Sequence, residues 1–158
     1  MLLTRLPGES QAFPYPYFTK LARDDVTAIC TYLSTFPPVK ARRPPDELTW
    51  PLDHRVVMHG WNWINFTPGE LAPNLQKSAE WNRGTYLVEG SGHCGACHTP
   101  KSILGADKTD QPLQGAQPQN WFIPKIDNDQ RRGLGSWSVD DIVEYLKTGR
   151  NAHSGAAA

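Results

Sequence analysis

A short run of the sequence, Cys94-Gly95-Ala96-Cys97-His98, places two thiols three positions apart and a histidine directly after the second. This C-x-x-C-H spacing is the attachment signature of a c-type haem, in which the thiols add to vinyl groups and the histidine becomes the proximal iron ligand. Two intervening residues let both sulfurs reach the vinyl groups on one edge of the porphyrin, and the next residue lies under the iron. The run therefore predicts one covalent haem c, held by Cys94, Cys97 and His98, with His98 binding the iron.

Three other sites could be built around the same residues, and each lacks an expected companion feature. A dithiol redox site would be expected in a βαβ setting, which the sequence does not show. A zinc site could use the four cysteine and histidine side chains of residues 93–98, but only His153 follows as a further histidine or cysteine. A pair of buried, inert thiols is disfavoured by the flanking glycines, which expose the segment. Haem attachment is therefore the interpretation that we prefer, and the other three stay as alternatives.

The composition of the chain favours short helices joined by long loops. The 158 residues include 13 glycines and 14 prolines, which is more than the usual share of roughly 12%. No apolar run approaches the roughly 20 residues of a membrane-spanning helix. The 16 basic and 16 acidic residues give zero net charge, so neither nucleic acid nor an anionic membrane surface is expected as a partner. Because only 39% of the residues are hydrophobic, we expect the porphyrin to supply much of the core and the chain without it to pack poorly.

Three helices are predicted from the spacing of apolar residues and from capping residues. The first spans residues 23–36, and the second spans residues 76–89 with Gly90 as its C-cap. The third begins after Ser138 as N-cap and stops at Gly149. No alternating strand pattern of useful length is present, so the predicted fold class is mainly α.

Residues 40–74 differ from these helical segments, because five prolines lie in them and few regular periods are visible. Their three tryptophans indicate an ordered linker that lies against a surface rather than a solvated tether. Gly84, inside the second helix, would let another helix approach closely.

Four blocks of the sequence, in this order, resemble the second haem domain of the multi-haem cytochrome c subunit of bacterial membrane-bound alcohol, gluconate and sugar dehydrogenases. The blocks are residues 83–100, 121–124, 133–138 and 140–150. The resemblance implies a mainly α, class I cytochrome c-like haem domain with long loops over residues 76–158, lacking its C-terminal part. It also implies an N-terminal helical remnant of a preceding cytochrome c domain over residues 1–39, and a Pro/Trp-rich linker over residues 40–75. Because the haem domain would lack its last helix, we expect the apolar stripe of the helix over residues 23–36 to dock near Gly84 and Tyr86 in its place.

The resemblance further implies that the chain transfers electrons and does not itself turn over a substrate. Electrons would pass from the catalytic subunit of a periplasmic dehydrogenase, through the haem, to the quinone of the inner membrane. Trp121 and Trp137 are expected to wall the haem pocket or to donate an indole N–H to a haem propionate, with simple core packing as the alternative. For the chain as a whole, the alternative is a haem-free metal-binding or inactive fragment of such a subunit.

Departures from the family pattern indicate a fragment and leave the sixth iron ligand unassigned. No C-x-x-C-H precedes Phe13, which stands where the family has a methionine. The iron-binding methionine of the second domain is expected beyond Ala158, and the first residues contain no secretory signal. Water or an open sixth position is therefore expected, and Met58, His54 and His59 are weaker candidates for the ligand.

Overall fold

The computed structural model describes residues 14–40, 50, 54–117, 121–151 and 155–156. Regular structure in this part of the chain is mainly helical, as the sequence predicted. The helices are α1 (Tyr15–Phe18), α2 (Arg23–Leu33), α3 (Arg55–Asn65), α4 (Ala79–Tyr86), α5 (Gly95–His98) and α6 (Val139–Thr148), with a π-helical turn (Leu87–Ser91) after α4. Two short strands, β1 (Arg150–Asn151) and β2 (Gly155–Ala156), pair antiparallel. Within the described residues, no helix is long and apolar enough to cross a membrane.

The chain divides into two compact units. The first comprises residues 1–96 together with 103–106, and the second comprises residues 97–102 together with 107–158. Phe13 and His153, both of which the sequence singled out, lie outside the described residues.

Helix α6 has both of the ends that the sequence predicted. The Ser138 hydroxyl accepts a hydrogen bond from the Asp141 amide at 3.1 Å, and the Asp141 carboxylate accepts one from the Ser138 amide at 3.0 Å. This reciprocal pairing satisfies two amides that have no partner within the helix. Gly149 ends the helix at φ 71°, a conformation that glycine adopts without steric penalty. The predicted capping of this helix is confirmed.

Helix α2 begins at Arg23 as predicted but ends at Leu33, three residues before the predicted end. The hydroxyls of Ser34 and Thr35 donate to the carbonyls of Cys30 and Tyr32 and so satisfy the last turn. The chain then leaves the helix through tighter turns ahead of the two prolines, which disfavour helical backbone before them.

The second predicted helix begins at Ala79, three residues later than expected, and together with the π-helical turn it continues to Ser91, two residues beyond the predicted end. Ser78 caps α4 by accepting from the Trp81 amide at 3.2 Å, and the Asn82 side chain ties the preceding residues into a turn at Asn74. The helix then widens into the π-helical turn, so Gly90 lies within this turn and is not the predicted C-cap. A Cβ atom on Gly90 would lie 3.4 Å from the Leu21 side chain, so this buried glycine marks a close approach between segments of the first unit.

Helix α3 lies within the stretch for which the sequence predicted irregular structure, and that prediction is wrong for residues 55–65. Its N-cap makes no side-chain hydrogen bond, so the usual signal for a helix start is missing. Trp61 is half-buried and donates from its indole N–H to the Leu104 carbonyl at 2.7 Å, whereas Trp63 is exposed. Trp61 thus contacts a residue that lies 43 positions further along the chain, within the first unit.

The core of the described chain is small. Tyr17 and Leu21 are the hydrophobic side chains that are buried in this part, at 7% and 8% exposure. Lys20, between them, pairs with Glu89 at 2.7 Å, and its carbonyl accepts from the Leu71 amide at 3.0 Å. Many large apolar side chains in the described part of the chain are exposed, among them Leu75, Ile103 and Leu146.

The predicted docking of the first helix is met only in part. The Tyr86 hydroxyl accepts from the Ala22 amide at 3.1 Å and donates to the Asp25 carboxylate at 2.5 Å, so the start of α2 does lie against Tyr86. Apart from its own helix, however, no described residue lies within 4 Å of where a Cβ atom of Gly84 would be, and Ile29 on the apolar stripe is about half exposed. The contact is polar and does not use Gly84.

We expect Gly84→Ala to stabilise the folded chain, since Gly84 is an exposed residue inside α4 and a Cβ atom there would meet no described residue outside its own helix within 4 Å. Alanine in a helix is favoured over glycine by about 0.5–1 kcal/mol. The midpoint of urea unfolding should therefore rise. Gly90→Ala is the matched comparison, because its added methyl group would be in contact with the Leu21 side chain, 3.4 Å away, and not in open space. An equal rise in both variants would contradict this assignment of the close approach.

Candidate functional site

The first cysteine of the motif is placed by the turn that precedes it. The Cys94 amide donates to the Val88 carbonyl at 3.0 Å, and the Gly92 amide donates to the Leu87 carbonyl at 2.7 Å. A Cβ atom on Gly92 would lie 2.6 Å from that Leu87 carbonyl oxygen and 3.5 Å from the Cys94 sulfur, so this position requires glycine. Cys94 is half-buried in this setting.

His93 joins this turn to α5. Its backbone has φ 39°, which is uncommon for a residue with a side chain. The Ala96 amide donates to its carbonyl at 2.8 Å and so starts the helical turn that carries the rest of the motif. The imidazole packs edge-on against the Phe18 ring, with 5.1 Å between the ring centroids. Its Nδ1 lies 3.2 Å from the Ser91 carbonyl oxygen.

Cys97 and His98 end α5 and have different surroundings. Cys97 is exposed, whereas His98 is half-buried and has its Nδ1 2.8 Å from the carbonyl oxygen of Pro124. A carbonyl oxygen only accepts hydrogen bonds, so Nδ1 carries the proton and donates it. The other ring nitrogen, Nε2, then has a lone pair for a metal. A backbone carbonyl that fixes the tautomer and orientation of a ligating histidine is a common feature of metal sites in proteins.

The Pro124 carbonyl is held in place by a short ribbon, formed by residues 113–116 and 123–126. Ala116 and Ile123 exchange two backbone hydrogen bonds at 3.1 and 2.9 Å, and the Ile126 amide donates to the Leu113 carbonyl at 3.0 Å. The ribbon is tied to the motif by the Gly115 amide, which donates to the His98 carbonyl at 2.7 Å. The sequence motif did not indicate this contact, because backbone atoms supply it.

These residues fit a haem with His98 as the iron ligand. An imidazole oriented by a carbonyl and two thiols on one short segment are the donor set that covalent haem attachment requires. All three cysteines are thiols, and Cys30 lies outside the motif, on α2. Among the described residues, no three histidine, cysteine, aspartate or glutamate side chains form a group that could hold a metal ion.

The other residues singled out from the sequence lie in varied surroundings. Trp121 is 76% exposed, and Trp137 is half-buried with its ring edge-on to Tyr145 at 5.6 Å. Met58 is half-buried on α3, His59 is exposed on the same helix, and His54 is exposed directly before it.

A charged cluster follows Pro124 and fixes the chain beyond the ribbon. Lys125 contacts Asp127 at 3.2 Å and Asp129 at 3.1 Å. The Asp129 carboxylate also accepts from the backbone amides of Arg131 and Arg132 at 2.9 and 3.0 Å. These two amides, together with the Lys125 ammonium, lower the pKa of Asp129 from its usual 3.8 to about 2.

We expect the second unit to lose stability in acid through Asp129. Because the pKa of Asp129 is lowered in the folded chain, its contribution is fully present above pH 3.8 and is lost as the pH falls towards 2. Asp129→Asn should unfold more easily than the wild type at pH 5 and should show a smaller further loss between pH 4 and 2. Thermal unfolding followed by circular dichroism over this range tests it, and parallel pH profiles for the two proteins would contradict it.

Known proteins that are similar to this chain include cytochrome subunits of bacterial dehydrogenases. The chain is 38% identical over 148 residues to a nicotinate dehydrogenase subunit of Pseudomonas putida, covering 93% of this chain and 12% of that protein. It is 37% identical over 148 residues to the fructose dehydrogenase cytochrome subunit of Gluconobacter japonicus, covering 92% and 30%. It is 38% identical over 154 residues to the cytochrome c subunit of the quinone alcohol dehydrogenase of Gluconobacter oxydans, covering 90% and 32%.

These matches cover most of this chain, whereas the chain spans about a third or less of each relative just named. No protein-family model matches the sequence. The resemblance inferred from the motif and the order of the sequence blocks is confirmed by these relatives. Over about nine-tenths of its length, the chain is therefore homologous to part of the cytochrome c subunits of bacterial dehydrogenases.

Proposed function

We propose that the chain transfers electrons through one c-type haem, bound covalently by Cys94 and Cys97 and ligated by His98. The hydrogen bond from His98 Nδ1 to the Pro124 carbonyl carries this proposal, because it leaves Nε2 available to bind iron. When bound, the haem supplies an iron that accepts and releases one electron. The relatives are cytochrome subunits of dehydrogenases, which supports a role in electron transfer rather than in substrate turnover.

The proposed architecture is a class I cytochrome c-like haem domain with long loops over residues 76–158. Helices α4 and α6 and the ribbon beside His98 support it, since in the sequence they bracket the motif with helical and extended backbone. Residues 1–39 are proposed to be the remnant of a preceding cytochrome c domain, and residues 40–75 the segment that links the two.

Trp121 and Trp137 are proposed to contact the haem. Trp121 is exposed and lies three residues before Pro124, on the segment that orients His98. Trp137 packs on Tyr145 of α6. A large aromatic ring with an indole N–H suits either the wall of a haem pocket or a hydrogen bond to a propionate.

The proposed partner is the catalytic subunit of a dehydrogenase, with a membrane quinone as the electron acceptor of the complex. The names of the relatives support a dehydrogenase partner, and one relative is a subunit of a quinone alcohol dehydrogenase. The proposed location is the periplasm, at the inner membrane, where c-type haem can be attached.

The experiment is to export the chain with an added leader in cells that mature c-type cytochromes. The purified chain should retain haem after denaturation in detergent, and its visible spectrum should change reversibly when it is reduced and reoxidised. A protein that carries zinc, or one that shows no haem stain, would overturn the proposal in favour of a haem-free metal-binding or inactive chain.

A further inference from the structure

Thr99, the residue directly after His98, is a buried polar side chain at 5% exposure. Its hydroxyl oxygen accepts a hydrogen bond from the Leu113 amide at 3.1 Å. An amide away from water that loses its acceptor destabilises the folded chain. The Thr99 hydroxyl thus fixes the position of Leu113 beside the motif.

Leu113 transmits this restraint to the segment that contacts His98. Its backbone has φ 59°, so it sits in a tight conformation that its neighbours must maintain. Its carbonyl accepts from the Ile126 amide at 3.0 Å, two residues beyond Pro124. The Leu113 carbonyl therefore accepts a hydrogen bond from the other segment of the ribbon, and the Leu113 amide donates one to the Thr99 hydroxyl.

A second hydrogen bond links the motif to the ribbon, and it uses no side chain. It joins the Gly115 amide to the His98 carbonyl, and both groups belong to the backbone. Any side chain at position 98 would preserve it. Besides the His98 imidazole itself, the Thr99 hydroxyl is a side-chain group that links the motif segment to the ribbon in the described part of the chain.

The strength of the hydrogen bond to the Pro124 carbonyl affects how well His98 donates electrons to iron. A stronger bond makes the imidazole more basic, which favours the oxidised metal and lowers the reduction potential. A displaced carbonyl has the opposite effect.

We propose that Thr99 is a positioning residue: by holding Leu113 it keeps the Pro124 carbonyl against His98 and so lowers the reduction potential of the haem. The inference rests on the proposed function, since it requires haem on His98. It adds to that function a side chain that tunes the site without touching the iron.

The test compares Thr99→Val with the wild type as full, haem-loaded chains in a spectroelectrochemical titration. Valine has the shape of threonine but cannot accept the Leu113 amide. We expect its midpoint potential to rise and that of Thr99→Ser, which retains the hydroxyl, to match the wild type. Thr148→Val is the matched control, because Thr148 also accepts a backbone amide at 3.1 Å, from Arg150, but lies on α6. Its potential should not change.

A second measurement does not depend on the potential. Amide hydrogen exchange of the haem-loaded chain should show faster exchange at Leu113 and Ile126 in Thr99→Val, and wild-type rates at both in Thr99→Ser. If Thr99→Val does not fold, Thr99→Ala must shift the potential in the same direction.

The outcomes separate the two proposals. A haem-loaded wild type whose potential equals that of Thr99→Val overturns the positioning role and leaves the proposed function standing. Faster exchange without a change in potential does the same, since Thr99 would then serve stability alone. A wild type that carries no haem overturns the proposed function itself.

Discussion

A chain in which Cys94 and Cys97 are both replaced by alanine is expected to carry no covalent haem. The two thioether bonds are the covalent attachment, so their loss should abolish the haem stain after denaturation. Each single variant should retain at most one bond and a reduced yield. The measurement is the ratio of haem absorbance to protein in the purified, exported chains.

Cys30→Ala is the control for this variant. Cys30 is a thiol on α2, half-buried and outside the motif, so its replacement should leave the haem content unchanged. Equal haem loss in Cys30→Ala would show that the chain loses haem through misfolding. Full haem content in the double variant would contradict covalent attachment at these two residues.

Gly115→Ala is expected to disrupt the ribbon that holds His98. Gly115 has φ 83°, and a Cβ atom there would lie 2.7 Å from the Ile123 carbonyl oxygen and 3.2 Å from the Pro124 carbonyl carbon. The unfavourable backbone conformation contributes about 1 kcal/mol, and the steric overlap adds about 1–3 kcal/mol. The urea midpoint of the second unit should fall, and the Pro124 carbonyl should be pushed from its place beside His98.

Gly149→Ala separates the two causes. Gly149 also has a positive φ, at 71°, but it ends α6 and does not lie in the ribbon. Its replacement should produce only the backbone part of the destabilisation. If the two variants unfold at the same urea concentration, the steric role assigned to Gly115 is incorrect.

The parts of the fold that the sequence predicted best are those with local chemical signals. Ser138, Asp141 and Gly149 define α6 by hydrogen bonds within a few residues, and the structure has that helix where it was expected. Helix α3 was missed, because its start carries no capping side chain and prolines flank it on both sides. Its conformation depends on contacts such as that of Trp61 with Leu104, far away in the sequence.

The groups of the candidate site likewise differ in whether the sequence carries a local signal for them. The spacing of Cys94, Cys97 and His98 is readable from the sequence, because their chemistry resides in side chains. The Pro124 carbonyl and the Gly115 amide act through the backbone and depend on pairing across 17 to 26 residues of sequence. The sequence likewise predicted a close approach at Gly84, whereas the structure places it at Gly90, where Leu21 packs. An apolar spacing alone does not distinguish these two glycines.

The most direct test of covalent haem attachment is mass spectrometry of the tryptic peptide that carries the motif, residues 84–101 of the exported chain. We predict a peptide heavier by one haem, with Cys94 and Cys97 both protected from thiol alkylation. A peptide of unmodified mass in which both cysteines are alkylated would contradict it.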